Sequence, residues 1–344
     1  MLFPEEEVRL SPPKSFSFES PEAFVPLAPS QYRAPAMALY GLNQGRTYYE
    51  ARTILTADDR VLLPFSAWMG NGPKDNWMFG KLKLKAMRKL PGSGFLLGGY
   101  SNYYHFLVLN LMGLALLEGL GKCWTDFDFL LVERPRHPFQ KWFHQRLGIS
   151  PERAVYLDDY PHVACDELFF PSNMWLPGPS WMKCLGAWLT RYLTESYPEE
   201  PPLRLYVSRS KCLYGRVSNE REVIEKMKEH GFQVVNAEDL EVPAQFSLFR
   251  RAGVVVGAHG AGLSNLQLCR PGCRVLEILN RAYRRETYWR LSSLVGLEYY
   301  RFFADPDTSP FVAPTGIGPD PPRLPNITVD LGLFQMALEG LLNE

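Results

Sequence analysis

Between residues 203 and 279 short apolar runs alternate with amphipathic stretches, and that alternation restricts the second half of the chain to very few folds. The runs 203–207, 232–235, 254–256 and 274–279 are rich in Val, Leu and Ile, as buried strands are. Between the first two, Val223, Ile224 and Met227 share one helical face. Asn219 and Glu222 have the spacing of a capping box, and Gly231 is placed to close that helix. Residues 243–251 and 263–268 read as the next helices. Strand alternating with helix predicts a parallel sheet with right-handed crossovers, which binds its ligands at the carboxyl ends of the strands.

The stretch Gly253-Val-Val-Val-Gly257-Ala-His259-Gly260-Ala261-Gly262-Leu263-Ser-Asn265 falls at such an end. A strand turning tightly into a helix leaves free backbone N–H groups and the positive end of the helix dipole at the turn, a ready site for phosphate. Gly260 and Gly262 are expected to bring the backbone close to a ligand, in conformations that a β-carbon forbids. The spacing is neither the G-x-G-x-x-G of dinucleotide enzymes nor a P-loop. His259 adds to the signal, because a purely structural turn does not need an imidazole among its glycines. Glu277, in the strand that follows, could accept hydrogen bonds from a ribose; its other reading is a strand carboxylate paired with a nearby arginine.

Composition narrows the class. The chain has 344 residues, enough for two domains, with 46% hydrophobic and 22% charged residues. Its 37 basic and 37 acidic side chains cancel, so the footprint of a nucleic-acid-binding protein is missing. No apolar run reaches the length of a membrane span; residues 106–120 come nearest and read as a buried helix. The opening Met-Leu-Phe-Pro-Glu-Glu-Glu has no basic start and no apolar core, so it does not read as a signal peptide. The expected location is cytoplasmic, with peripheral association at the inner face of a membrane left open. The six cysteines form no CxxC pair and read as reduced core thiols.

In the first half, residues 1–35 read as an irregular arm and 81–89 as a basic, solvated helix face. Residues 61–65, 95–99, 127–132, 154–157 and 167–170 read as strands, and 102–118, 139–147 and 182–193 as helices. The proline-rich segment 196–202 is the best linker, giving domains of 1–198 and 199–344. A Pro/Gly-rich stretch, 305–325, reads as a loop, and residues 331–342 as a final helix capped by Asp330 and free to cross back to the first domain.

Three elements together resemble a known family. The Gly257-Ala-His259-Gly260-Ala-Gly262-Leu-x-Asn265 loop continues through Pro271-Gly272 to a strand carrying Glu277. Upstream lie Tyr206-Val-Ser208-Arg209, Arg216 and Asn219-Glu220, and further back Asn102-Tyr-Tyr-His105-Phe106. The set is similar to the signature of glycosyltransferase family 61, its bacterial polysaccharide and capsule branch included, with Phe106 where that family commonly has Trp. The likeness covers roughly residues 203–280 and 100–120 and leaves out the first 60. It implies an α/β fold of the GT-B type, two Rossmann-like domains facing each other across a cleft. It also implies inversion at the anomeric carbon and a nucleotide-sugar donor, usually UDP-linked, with no metal or other cofactor. The acceptor would be a glycan or lipid-linked glycan hydroxyl; the oligomeric state is left open.

Under that resemblance each candidate has a role. Ser208, Arg209 and Arg216, with the loop residues Gly257, His259, Gly260, Ala261, Gly262, Leu263 and Asn265 and with Glu277, form the donor side. Arg209, just past a strand end, could grip phosphate oxygens with its planar fork. His259 could donate to the diphosphate or the sugar, or orient the loop through its backbone, and Asn265 could simply hold that loop. The base that takes the acceptor proton is expected from the first domain. His105 is the first choice, with Asp158 and its neighbour Asp159 behind it and Glu118 less suited. Asp126-Phe-Asp128 matches the Asp-x-Asp of metal-dependent transferases, but it opens an apolar strand in the wrong domain for a diphosphate. Two rival readings stay open. One is a nucleotide- or phosphate-dependent enzyme of another class; the other is a degenerate transferase acting as a scaffold or glycan-binding subunit.

Overall fold

A computed structural model describes residues 1–14, 16, 30–49, 53–65, 83–98, 102–172, 176–193, 202–282, 285–307 and 325–343. The chain divides into two compact units, Met1–Val8 with Arg33–Trp188 and Arg9–Tyr32 with Leu189–Glu344. The division after Trp188 precedes the linker expected at 196–202, which lies outside the described residues apart from Pro202. The short strands β1 (Glu6–Arg9) and β2 (Gln31–Ala34) pair with each other.

In the first unit, strands β3 (Leu39–Asn43), β4 (Arg46–Tyr48) and β5 (Thr53–Leu55) precede β6 (Arg88–Gly98). Helix α1 (Tyr103–His105) runs through a π-helical turn, Phe106–Asn110, into α2 (Leu111–Gly119). Then come β7 (Phe129–Val132), α3 (Pro138–Arg146), β8 (Ala154–Tyr156), β9 (His162–Pro171) and α4 (Pro179–Leu193), in which the division between the units falls. The sheet order is β5-β4-β9-β6-β7-β8, and β3 also pairs with β9. Strands β9, β6, β7 and β8 are mutually parallel, whereas β3 and β4 run antiparallel to β9. Residues 106–117 are all buried, so this helix is apolar all round because it is enclosed by protein. No helix among the described residues is long and apolar enough to cross a membrane.

Two local expectations fail here. Residues 83–87 form no helix, and Arg88 and Lys89 instead open β6 as exposed strand residues. Only Val61 of 61–65 makes a strand bridge, and Leu63–Phe65 is a 3-10 turn. In both places pairing with another strand, which the local charge or apolar pattern does not encode, decides the outcome.

The second unit contains β10 (Leu203–Val207), α5 (Glu220–Glu229), β11 (Gln233–Val235), α6 (Val242–Arg251) and β12 (Ala252–Ala258). A 3-10 helix, Ala261–Leu268, leads to β13 (Arg274–Asn280), α7 (Thr287–Val295), β14 (Glu298–Pro306), β15 (Ile327–Thr328) and α8 (Leu331–Asn343). The order β11-β10-β12-β13-β14-β15 is parallel throughout except for β15. This is a doubly wound α/β sheet whose strand order reverses between β10 and β12, and ligands of such sheets bind at that reversal.

One sheet face packs Tyr206, Val254, Val256, Leu276, Ile278 and Tyr300 under α5 and α8. Successive strand residues alternate faces, so Val255, Gly257, Glu277, Tyr299 and Arg301 belong to the other. Asn219 does not cap α5. It donates to the Val329 carbonyl at 2.8 Å and accepts from the Val329 N–H at 3.0 Å, tying α5 to the start of α8. Gly231, at φ 73°, does end that helix region in a left-handed turn. Residues of the N-terminal arm also belong to this unit. The Ser11 N–H donates to Ser293 at 2.7 Å, the Trp289 indole donates to the Ser11 carbonyl at 2.6 Å, and the Lys14 N–H donates to the Tyr299 carbonyl at 2.8 Å.

Candidate functional site

The carboxyl ends of β10 and β12 lie side by side at the reversal, with Val207 opposite Gly257. Ser208 and Arg209 follow one strand; His259 and Gly260 follow the other. Arg209 is bound by its own loop, its Nε donating to the Gly215 carbonyl at 2.7 Å and its Nη2 to the Tyr214 carbonyl at 3.0 Å. Those bonds turn the Nη1 corner of the guanidinium toward Gly260, where an added β-carbon would come within 1.6 Å of it. A planar cation is thus laid against the backbone of the glycine loop.

The glycines act through space rather than conformation. Gly260 has φ 174° and ψ 161°, extended backbone that any residue can adopt, and none of the three glycines in the loop lies in the left-handed region. That corrects the expectation of backbone angles closed to other residues. Added β-carbons would lie 3.2 Å from Val207 at Gly257 and also at Gly262, so these positions let β10, β12 and the 3-10 helix close on one another. The helix after the loop is 3-10, with its first turn tightened by the Leu263 N–H donating to the Gly260 carbonyl at 3.0 Å.

His259, Glu277 and Tyr299 form one network. Gly257 and Arg301 flank Glu277 across the sheet, and His259 stands two residues beyond Gly257 on the same face. The His259 side chain is 14% exposed and its Nδ1 meets Glu277 Oε1 at 2.5 Å, while Glu277 has no exposure. The Tyr299 hydroxyl donates to Glu277 Oε2 at 2.5 Å. Burial and the Glu277 carboxylate push the Tyr299 phenol well up, so it remains a donor. The Tyr288 ring lies 5.2 Å from the imidazole. Glu277 faces inward, with one oxygen at His259 and the other at Tyr299.

The other donor-side candidates separate by exposure. Arg216 is exposed, and its backbone is tied to the β15 region through Asn326 and Ile327. Ala261 is half-buried at the mouth of the loop and accepts from the Ser264 hydroxyl at 2.5 Å. Ser208, at 2% exposure, accepts from the Ser210 N–H at 3.2 Å and so shapes the Arg209 loop. Leu263 is 1% exposed and Asn265 wholly buried, its amide donating to Gln245 at 3.0 Å; both hold the loop from beneath. Glu220, quoted above only as part of the resembling signature, has a defined place here. Its Oε1 accepts from the Arg209 N–H at 2.9 Å and the Tyr206 hydroxyl at 3.0 Å.

The remaining candidates belong to the first unit. His105 ends α1 half-buried, edge-on to the Tyr104 ring at 5.3 Å, in a turn capped by Asn102, which accepts from the Tyr104 N–H at 3.0 Å. Asp158 is 11% exposed, and both its oxygens are engaged, by Arg136 at 2.5 Å and by the Arg134 N–H at 2.7 Å. Asp159 pairs with the Arg134 guanidinium. Glu118 is half-buried near the end of α2. Asp126 accepts from the Cys123 N–H at 2.8 Å, and Asp128 accepts from the Ser93 N–H at 2.7 Å and hydroxyl at 2.9 Å. Those bonds hold the Asp128 carboxyl below its usual range. Asp126 thus closes a local turn and Asp128 binds Ser93 of β6, and no cluster of three metal-ligating carboxylate, imidazole or thiol groups occurs among the described residues.

Over 93 residues the chain is 36% identical to a protein named beta-1,2-xylosyltransferase RCN11, from Oryza sativa subsp. japonica. The alignment takes in 25% of this chain and 17% of that relative's length. A family model described as Glycosyltransferase 61 matches residues 103–276, just over half of the chain, from the first turn of α1 into β13. The match takes in both the His105 turn and the Arg209–Gly260 contact. The chain therefore belongs to glycosyltransferase family 61.

Proposed function

We propose that this protein transfers a sugar from a UDP-linked donor to a hydroxyl of a glycan, lipid-linked glycan or polysaccharide precursor, with inversion and without a metal. The observation that carries the reading is the Arg209 guanidinium laid against Gly260 where the strand order of the second unit reverses. A diphosphate there would meet a cationic fork, the N–H groups at the start of the 3-10 helix, and the imidazole of His259. Those groups would offset the charge that develops on the departing nucleoside diphosphate. The two units are proposed to act as the two halves of a GT-B transferase, with the acceptor held by the first. His105 is proposed as the base: it takes the proton of the acceptor hydroxyl, whose oxygen bonds to the anomeric carbon as the bond to the diphosphate breaks. Asp158 is the weaker choice, because Arg136 and the Arg134 N–H already occupy its oxygens.

The test is a thermal-shift screen of nucleotide sugars with and without EDTA, with UDP-xylose included because a relative carries that sugar's transferase name. Stabilisation by one UDP-sugar, unaffected by EDTA, is expected, and a β-linked product from an α-linked donor. Stabilisation by NAD or ATP instead, or an α-linked product, would defeat the reading. Binding of glycan without donor turnover would leave only a scaffold role. Arg209→Ala is expected to lose about tenfold to a hundredfold in turnover or donor affinity, the worth of a charge-assisted hydrogen bond.

A further inference from the structure

We infer that Glu277 and Tyr299 are positioning residues that hold His259 with Nδ1 as its buried donor, so that His259 meets the donor's diphosphate through Nε2 as an imidazolium. The inference rests on the donor-site reading above and gives one of its groups a defined state. Glu277 has no exposure and sits on the face of β13 opposite Leu276 and Ile278, which pack under α5 and α8. Its Oε1 faces His259 Nδ1 and its Oε2 takes the Tyr299 hydroxyl, both at 2.5 Å. A carboxylate can only accept, so the hydrogen between Glu277 and the ring belongs to Nδ1. The Tyr299 bond fixes the other oxygen, which keeps the carboxylate plane and hence the ring from turning.

That arrangement has a chemical consequence. With Nδ1 carrying its hydrogen, a neutral ring presents a lone pair at Nε2, which would repel a phosphate oxygen. Donation to a diphosphate through Nε2 needs a second hydrogen, and the ring is then a cation balanced by Glu277. The charged or titratable groups around this network are Glu277 from β13, Tyr299 and Arg301 from β14, and Glu286 and Tyr288 at the start of α7. Arg209 lies across Gly260 from β10. The neighbouring arginines oppose a third cation. Glu277 is the acceptor placed on the ring itself, and a bound diphosphate would supply the remaining negative charge.

The experiment combines imidazole nitrogen NMR with UDP titration calorimetry between about pH 5.5 and 8.5, the interval in which a histidine changes charge. The His259 signal is assigned by its loss in His259→Asn. The free wild-type protein is expected to carry hydrogen on Nδ1 at neutral pH, the UDP complex on both nitrogens, and UDP affinity is expected to fall as pH rises. In Glu277→Gln the amide cannot accept from both His259 and Tyr299, so Kd should rise about tenfold and the pH dependence should shift. Tyr299→Phe should raise Kd only about threefold and keep the pH dependence, the loss of one buried hydrogen bond. If Glu277→Gln does not fold, the wild-type spectrum and Tyr299→Phe still decide. Hydrogen on Nε2 in the free wild-type protein, or unchanged UDP binding in Glu277→Gln, overturns the inference and leaves the donor reading intact. Failure of the wild-type protein to bind UDP at every pH overturns both.

Discussion

Arg209 spends one edge of its guanidinium on two carbonyls of its own loop, which makes its position depend on both arginine geometry and the missing side chain at Gly260. A lysine there has a single ammonium at the end of a flexible stem and cannot span the Gly215 carbonyl while reaching Gly260. Arg209→Lys should therefore lose about tenfold in UDP affinity, close to Arg209→Ala, although the charge is kept. Gly260→Ala keeps the charge as well and its extended backbone tolerates alanine, yet the methyl would displace the guanidinium. The expected outcome is a loss of UDP affinity of similar size with little change in melting temperature, measured by calorimetry and thermal shift on the same samples. A Gly260→Ala protein that binds UDP normally would show that the contact between loop and arginine carries no function.

At the level of elements, α3 bears a residue whose titration should be visible in stability. His144 sits beside Phe143 on the buried face of this helix, and burial lowers its pKa from 6.5 to about 4. The unfolded chain takes up a proton at this residue below about pH 6.5 while the folded chain refuses it until about pH 4. The unfolded state binds more protons in that window, so stability falls as pH drops from 6.5 toward 4. Urea unfolding followed at pH 7 and pH 5 should show that loss in the wild-type protein and a smaller one in His144→Phe. Strand β13 makes a second point at this scale. Its run Arg274-Val-Leu-Glu277-Ile reads as a strand from sequence, because apolar residues on both faces are what a central parallel strand needs. The same run does not say which way Glu277 faces. Its carboxylate meets His259 only because Gly257 and His259 occupy the register beside it.

At the scale of the whole molecule, the arm at the start of the chain is part of the second unit's structure. Ser11 and Lys14 hydrogen-bond to α7 and β14, Lys14 pairs with Glu298 at 3.0 Å, and Phe16 stacks on Tyr300 at 5.9 Å between centroids. These bonds are largely exposed, so each contributes about 0.5–1 kcal/mol, and the Phe16 contact adds apolar burial. Deleting the first 16 residues should cost the second unit about 2–4 kcal/mol, read as a lower urea midpoint by a probe in residues 189–344. An unchanged midpoint would mean that the arm merely lies on the surface.

The alternation of strand and helix across residues 203–279, the glycine loop at the end of β12 and the Ser-Arg at the end of β10 are legible in the chain, because each is a local pattern of period, turn chemistry and spacing. Strands β3, β4 and β5 escape such a reading; they are short, and the long strand β9 that β3 and β4 pair with is more than 100 residues away. The same limit explains Asn219, whose capping-box spacing is real but whose amide is claimed by Val329. By itself, the sequence determined the strand–helix alternation of residues 203–279, where the glycine-rich turn falls and which family the chain resembles. Only the tertiary structure decided that Glu277 meets His259, that Gly260 makes room for Arg209, and that the N-terminal arm closes on β14. Side-chain partners depend on register and on which strands become neighbours, and no single segment carries that information.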